Sequence, residues 1–410
     1  MKIVFTGGGT GGHFYPIIAI AEAVRATARE RDLLDPSLYF ISTKPFDAEA
    51  LFANDIKFVA CPAGKMRRYF SVMNFTDLFV TVWGTLLCII TLFRIYPDVV
   101  FSKGGFASVP TVLAAHFLRI PIVIHESDAK PGRANILAAK YAYRIGVAFD
   151  SVAGYLPEKS RKNVARVGIP IRVALAQPEI AGAKELLGLD ADAPTVLIVG
   201  GSLGSKRIND MVVEGLADLV SFANIIHQTG KDNFKEAQDL SSVILEKNPN
   251  KDRYHAFPYL SAESMRQASS AADLIVSRAG SSMINEISFW KKPAILIPIP
   301  EAVSHDQRTN AYAYAHTGAA VVLEEENMTQ HVLVSEIRRI INDPALSKNM
   351  ADKGAAFSSR NASQVIADEL IAIGLSHDPD NIEAAKNAAA VQAQTAASGE
   401  AVSPGTWHTP

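Results

Sequence analysis

The chain has 410 residues, 48% hydrophobic and 20% charged, with 40 basic against 42 acidic side chains. That length exceeds what one hydrophobic core organises and predicts two domains, while the composition excludes general disorder. The balanced charge excludes recruitment of nucleic acid or an anionic membrane by an overall field, so any such attraction is local.

The N-terminus carries one lysine and a short apolar run before a cluster of glycines, without the apolar core of a secretory signal; a cytosolic protein is expected. Strand-like runs at 2–5, 38–41, 99–101 and 122–125 alternate with helical patterns at 17–29, 110–117 and 134–141. This is the pattern of a parallel sheet with crossover helices. After "VGIPIR" at 167–172 the plan restarts, with strands at 195–199, 225–228, 274–277 and 294–297 and helical stretches from 208 and at 332–341. The expected fold is α/β: two Rossmann-like, doubly wound parallel-sheet domains with an interdomain cleft. Their expected bounds are 1–167 and 168–375, the last helix packing back on the first domain. Residues 376–410, rich in Ala, Ser, Gly and Gln, read as a disordered tail.

Cys61 and Cys88 are the only cysteines. They lack metal-ligand spacing and read as buried thiols rather than a disulfide framework or zinc site. The stretch 78–93 holds sixteen uncharged residues, short of the ~20 needed to span a bilayer. A buried crossover helix and an interfacial helix both fit it. Upstream "GKMRRYF", with Lys65, Arg67 and Arg68 among aromatics, favours docking of the segment near 75–94 on a membrane surface.

Ligands of open parallel sheets bind beyond the carboxyl ends of the strands, so the loops there are searched for chemistry. "TGGGTGGHFYP" follows the first strand and satisfies G-x-G-x-x-G. The strand that should carry the ribose-binding acid of a dinucleotide site instead ends in "FIST", which disfavours an oxidoreductase. The glycines still let an oxygen-rich ligand approach backbone N–H groups. His13 sits at the mouth of the following helix, where the dipole and burial disfavour imidazolium; it reads either as a neutral base or as a structural hydrogen-bonding residue. "HESDAKPGRAN" places His125, Glu126 and Asp128 past a strand and Asn135 in the next helix, as ligand-facing groups or as caps.

In the second half, "GGSLGS" offers Ser202 at an anion-binding turn, and "RAGSSMINE" turns into a helix bearing Glu286, a carboxylate suited to a ribose diol. Gln307 and Asn310 of "HDQRTNA" are amides able to donate to and accept from sugar hydroxyls. Together these features suggest a nucleotide sugar. Asp190 and Asp192 mimic a metal-binding DxD, but they precede a strand and read as a solvated loop; no metal or cofactor is expected.

Taken in order, "GGTGGHFYP", "GGFAS", "HESDAKPGRAN", "GIPIR", "GGSLGS", "HQTG", "RAGSSMINE" and "HDQRTNA" closely resemble the MurG family, cytosolic UDP-N-acetylglucosamine transferases that make lipid II of bacterial peptidoglycan. The resemblance covers 1–374. It implies a GT-B fold and metal-independent, inverting transfer of GlcNAc to the 4-hydroxyl of MurNAc in undecaprenyl-pyrophosphoryl-MurNAc-pentapeptide (lipid I). It implies that Thr10, Gly11 and Gly12 meet the donor sugar and acceptor, and that Arg172 and Ser202 contact the donor diphosphate. Ser281, Ser282, Met283, Ile284, Asn285 and Glu286 would form the uridine and ribose site, with Gln307 on the sugar hydroxyls. Leu260 matches an apolar uracil contact, although "PYLSAESM" is longer than the family's usual spacing. Two residues depart from the pattern: Asp128 stands where the family has Asn, and Lys103 where many relatives have Gly.

In this reading His13 is the general base, with Glu126 as its helper or rival. Location on the cytoplasmic face of the inner membrane and contact with other cell-wall synthesis proteins are implied by the resemblance alone. Rival readings are a related transferase using another lipid acceptor such as a diacylglycerol, a dinucleotide-binding oxidoreductase, and a non-catalytic nucleotide-sugar binding protein.

Overall fold

The computed structural model describes residues 1–8, 11–65, 73–172, 175, 180–201, 203–301, 305–358 and 361–376. The chain forms two compact units: Met1–Arg172 with the C-terminal helix Ala362–Leu375, and Val173–Ser358. The division falls after Arg172 rather than after 167, because Val167 N and Gly168 N both donate to Val147 O and keep this segment on the first sheet. Of the expected tail, residues 377–410 lie outside the described residues.

The first unit is built on seven parallel strands: β1 (Lys2–Thr6), β2 (Ser37–Ser42), β3 (Ile56–Ala60), β4 (Val99–Ser102), β5 (Ile122–Glu126), β6 (Arg144–Val147) and β7 (Val164–Arg166). Their order is β3-β2-β1-β4-β5-β6-β7. β4 and β5 are buried throughout and β1 at all but its first residue, as a parallel sheet covered on both faces requires, which explains their unbroken apolar sequences. Ile3, Phe5, Phe101 and Val123 meet Phe14, Ile17 and Val24 from the helix Gly11–Glu30. Ile366, Leu370 and Ile371 of the C-terminal helix belong to the same core. Arg144 Nε, on β6, pairs with Glu369 of that helix at 2.9 Å.

The second unit has six parallel strands: β8 (Thr195–Val199), β9 (Asn224–Gln228), β10 (Tyr254–Phe257), β11 (Leu274–Ser277), β12 (Ala294–Leu296) and β13 (Ala320–Val322). They are ordered β10-β9-β8-β11-β12-β13. Val196, Ile198, Val276 and Ile295 pack on Ile208 and Val212 of the helix Lys206–Glu214 and on Leu333 and Ile337 of the helix Gln330–Ile341. In both sheets the strand order reverses beside the first strand of the unit, between β1 and β4 and between β8 and β11. Such reversals open a crevice at the carboxyl ends of the two strands.

The apolar segment near 75–94 is part of one helix, Met73–Ile95. Because Asp77 and Arg94 lie inside it, the helix is longer than the sixteen-residue uncharged stretch, and its Phe75–Ile95 portion is long and apolar enough to cross a membrane by length alone. The length argument drawn from the sequence is corrected accordingly. Packing is the better guide. Gly84, Cys88 and Leu92, spaced by four, form the protein-facing edge, with Cys88 and Leu92 buried. A Cβ on Gly84 would lie 1.9 Å from Pro62 O. Gly64 N donates to Thr81 Oγ1 at 3.2 Å, and the Cys61 thiol to Gly84 O at 3.3 Å. The opposite face exposes Phe79, Trp83, Leu86, Ile90 and Phe93, so the helix is not a buried crossover. Both cysteines are buried free thiols, as read from the sequence.

Candidate active site

The helix after β1 begins at Gly11, ahead of the apolar periodicity that starts at Ile17, and so carries His13 in its first turn at the β1/β4 reversal. Thr10 lies outside the described residues. His13 is part-exposed, yet the surrounding protein lowers its pKa to about 4. Burial is the main cause; the Lys103 charge adds to it and the Asp128 charge opposes it.

β5 delivers the facing loop. Glu126 is buried and both its oxygens are committed: Oε1 accepts from Asp128 N at 3.0 Å, and Oε2 accepts from Gly132 N at 3.0 Å and Asn135 Nδ2 at 2.9 Å. Burial, reinforced by Asp128, pushes its pKa up to about 7 against the opposing effects of Lys103 and these donors. Glu126 therefore organises its own loop. Asn135, also buried, further donates to His125 O. His125 Nε2–H donates to Gly168 O at 2.6 Å, and burial holds this imidazole well below its ordinary value. It is a structural clasp between β5 and the 167–172 segment.

Between these loops runs the turn after β4. Gly104 has φ +86°, and a Cβ there would fall 2.7 Å from the Asn135 amide, so the turn admits only glycine. Lys103 points into the same region, 2% exposed, and donates to Ser127 Oγ. Burial lowers its pKa to about 8 despite the nearby carboxylates. Arg172, at the end of the unit, stacks on Tyr15 with its guanidinium carbon 4.1 Å from the ring centroid.

In the second unit the loop after β8 is gripped from two sides. Gln228 Nε2 donates to Gly201 O at 2.9 Å, while its Oε1 accepts from Leu260 N at 3.0 Å. One side chain of "HQTG" thus joins the "GGSLGS" turn to the Leu260 loop; the Leu260 side chain itself is buried. Arg278, just past β11, donates to Ser205 Oγ at 2.6 Å and to Ile297 O and Pro298 O at 3.2 Å, and pairs with Glu325 at 2.5 Å. Ser205 in turn caps the helix Lys206–Glu214. Ser202 lies outside the described residues.

The helix Ser281–Trp290 starts at the β8/β11 reversal behind Gly280, which gives it no side-chain cap. Its first-turn N–H groups, Ser281, Ser282, Met283 and Glu286 lie on a part-exposed face, whereas Ile284 and Asn285 are buried. Gln307 Oε1 accepts from Ile299 N at 3.3 Å, and Asn310 is fully enclosed. Asn285 and Asn310 are thus enclosed within the unit.

The structure therefore gathers Gly11, Gly12, His13, Glu126, Asp128, Asn135 and Arg172 in the first unit. In the second it sets Ser281, Ser282, Met283 and Glu286 on one part-exposed face, with Leu260 and Gln307 in the loop and helix named above. Sequence reasoning assigned nothing to Tyr15, Ser127, Gln228 or Arg278. A charged residue directly after a buried strand, as in "SRAG", was the legible signal for Arg278.

Two doubly wound units, each with a helix starting at its switch point, define a GT-B architecture, and comparison with known proteins is specific. Residues 3–147 match the glycosyltransferase family 28 N-terminal domain and 195–367 its C-terminal domain. A Treponema denticola UDP-N-acetylglucosamine–N-acetylmuramyl-(pentapeptide) pyrophosphoryl-undecaprenol N-acetylglucosamine transferase is 33% identical over 388 residues, 92% of this chain and 99% of its own. The Clostridium kluyveri protein of the same name is 37% identical over 83% of this chain and 91% of its own. The crystal structure of Acinetobacter baumannii MurG superposes with a TM-score of 0.69 at 25% identity, covering 90% of this chain and 99% of that one. The protein is a GT-B glycosyltransferase of family 28. Within that family, the chain belongs to the MurG N-acetylglucosaminyltransferases.

Proposed function

We propose that this chain transfers GlcNAc from UDP-GlcNAc to the 4-hydroxyl of the muramyl sugar of lipid I, inverting C1 and using no metal. The observation that carries the mechanism is His13, in the first turn of a helix at the β1/β4 reversal and kept neutral by its surroundings. A neutral imidazole can take the proton of an attacking hydroxyl, a role worth ~10²- to 10⁴-fold. Glu126, with both oxygens engaged by backbone and Asn135 donors, holds the loop that bears Asp128. Asp128 favours the imidazolium formed during attack.

The nucleotide is assigned to the second unit. Its ribose meets Glu286 and its uracil the Leu260 loop, which Gln228 ties to the turn after β8. In the second unit the uncapped N–H groups at Ser281 take up charge on the departing diphosphate; in the first, Arg172, presented by Tyr15, is a cation ready for an anion. We assign the exposed face of the helix Met73–Ile95, with Lys65 beside it in sequence, to contact with the membrane that carries the lipid acceptor; Arg67 and Arg68 lie outside the described residues. The cytoplasmic leaflet is the side where UDP-GlcNAc is available.

The test is transfer of radiolabel from UDP-GlcNAc to a lipid I analogue with and without EDTA. Unchanged transfer in EDTA is expected, and His13→Ala should abolish turnover while UDP-GlcNAc still binds. Full turnover by His13→Ala would overturn the assignment of the base.

A further inference from the structure

The loop after β3 is clasped along the helix Met73–Ile95 at successive turns. Gly64 N donates to Thr81 Oγ1, and a Cβ on Gly64 would fall on Asp77 O; further along the helix, a Cβ on Gly84 would fall on Pro62 O. At both glycines backbone lies against backbone, with no flexible side chain between to give way. The next contact along the helix is between sulfurs. Cys61, directly after β3, and Cys88, one turn past Gly84, hold their sulfur atoms 2.6 Å apart. Behind Cys88 stands Thr111 of the helix Val109–Phe117, its Oγ1 3.6 Å from the sulfur. Cys88 is fully buried, Cys61 is 4% exposed, and both are free thiols. Two residues of different elements thus meet sulfur to sulfur in a seat built by rigid backbone. Packing alone asks only for small apolar side chains at these positions; it does not account for sulfur on both sides of the contact.

We propose that Cys61 and Cys88 are a reversible dithiol–disulfide pair which, under peroxide, staples the helix Met73–Ile95 to the loop after β3. Cys61, the less enclosed of the two, meets the oxidant. Its sulfur attacks one peroxide oxygen, the O–O bond breaks and water leaves, giving a sulfenic acid. The Cys88 sulfur then attacks the Cys61 sulfur: the S–S bond forms, the S–O bond breaks, and the departing hydroxide takes the Cys88 proton as a second water. The two sulfurs lose one electron each and the peroxide gains two. A dithiol reductant reverses the step by exchange. The new bond joins positions 27 residues apart and restricts the unfolded chain, while the outward Trp83 and Leu86 take no part in it. In a reducing compartment such a pair rests as thiols and closes transiently, as a sensor rather than a permanent bridge. This chemistry is independent of the transferase activity.

The full chain is treated with hydrogen peroxide, quenched with catalase, unfolded, alkylated with iodoacetamide, digested and read by mass spectrometry. The expected product has the Cys61 and Cys88 peptides joined within one chain, unalkylated and two hydrogens lighter than their sum, and dithiothreitol returns both to alkylatable thiols. Retention of both thiols at a peroxide dose that oxidises free cysteine would overturn the pair. So would sulfinic or sulfonic acid at Cys61 beside an unreacted Cys88, or a cross-link between chains. These readings use the unaltered protein and need no variant to fold. Cys88→Ser checks the order of events: Cys61 should then stop at a sulfenic acid that dimedone traps, and an untrapped Cys61 would overturn its role as the sulfur that meets the oxidant. Calorimetry of the oxidised chain should give a Tm above that of the reduced chain, reversed by dithiothreitol. A Tm unmoved or lowered would overturn the staple.

Discussion

Arg172 lies flat over Tyr15, its guanidinium carbon 4.1 Å from the ring centroid. Tyr15 is itself fixed: its ring packs edge-on against Phe14 and Phe46, and its hydroxyl donates to Asp47 Oδ2 at 3.3 Å. A flexible cation at the end of a unit is thereby presented in one orientation, with less side-chain entropy to lose when it meets an anion. A cation over an aromatic face is worth ~0.5–2 kcal/mol. Tyr15→Ala should therefore weaken kcat/KM for UDP-GlcNAc by roughly 3- to 30-fold, and Tyr15→Phe, which keeps the ring, should cost little. Steady-state kinetics on the two variants separates the ring's contribution from that of the hydroxyl.

The two candidate bases differ in the pH at which each is ready to act. His13 is deprotonated above about 4, whereas Glu126 reaches that state only above about 7. With His13 as base, kcat/KM stays flat from pH 8 down to pH 5 and falls only as its folded-state pKa is approached. A tenfold fall per unit beginning near pH 7 would hand the role to Glu126. The profile should be measured alongside circular dichroism, so that loss of fold at low pH is not read as loss of the base.

Gly204 and Thr229 meet backbone to backbone. Gly204 has φ +77°, and a Cβ there would stand 1.9 Å from Thr229 O, so "GGSLGS" and "HQTG" are two halves of one packed turn. Gly204→Ala combines a disfavoured conformation with a clash against immobile backbone, and should destabilise the protein by more than ~1 kcal/mol. Calorimetry should show a lower Tm for the variant, and UDP-GlcNAc titration a higher Kd, because the displaced loop opens the nucleotide-side turn.

On the helix Met73–Ile95, Trp83 is 60% and Leu86 50% exposed while Cys88 and Leu92 are buried. Glutamate at Trp83 or Leu86 removes apolar area from the outward face without touching the packed one. Each substitution should lower partition onto anionic vesicles by roughly tenfold, and transfer to a short-chain, water-soluble lipid I analogue should persist. Vesicle co-sedimentation of the full chain is the measurement; unchanged partition would assign the face to another partner.

Most strands readable from residue order were enclosed ones; β6, equally buried, was missed because its "RIGV" opens on arginine and contains glycine. β1, β4, β5, β8 and β11 are buried along nearly their whole length and each carries an apolar run of three or four residues. The strands that escaped notice include all four edges, β3, β7, β10 and β13. These have part-exposed positions and mixed sequences such as "IKFVA" and "YHAF", because an edge strand must be covered on fewer sides. The start of the first helix was misplaced for a related reason. Its opening turn carries site residues rather than core residues, so the apolar period begins only at Ile17.

Residue order sufficed for the repeated α/β plan, the loops that carry chemistry and the family, because glycine turns, buried strands and short polar motifs leave local signatures. The surroundings of the titratable groups were decided by packing. Glu126 turns out to be tied up by its own loop, His125 to clasp Gly168, Asn285 and Asn310 to be enclosed, and Lys103 to be buried on the hydroxyl of Ser127. Burial and the charges brought alongside fix proton affinities and free lone pairs, and both depend on neighbours tens of residues away in the chain.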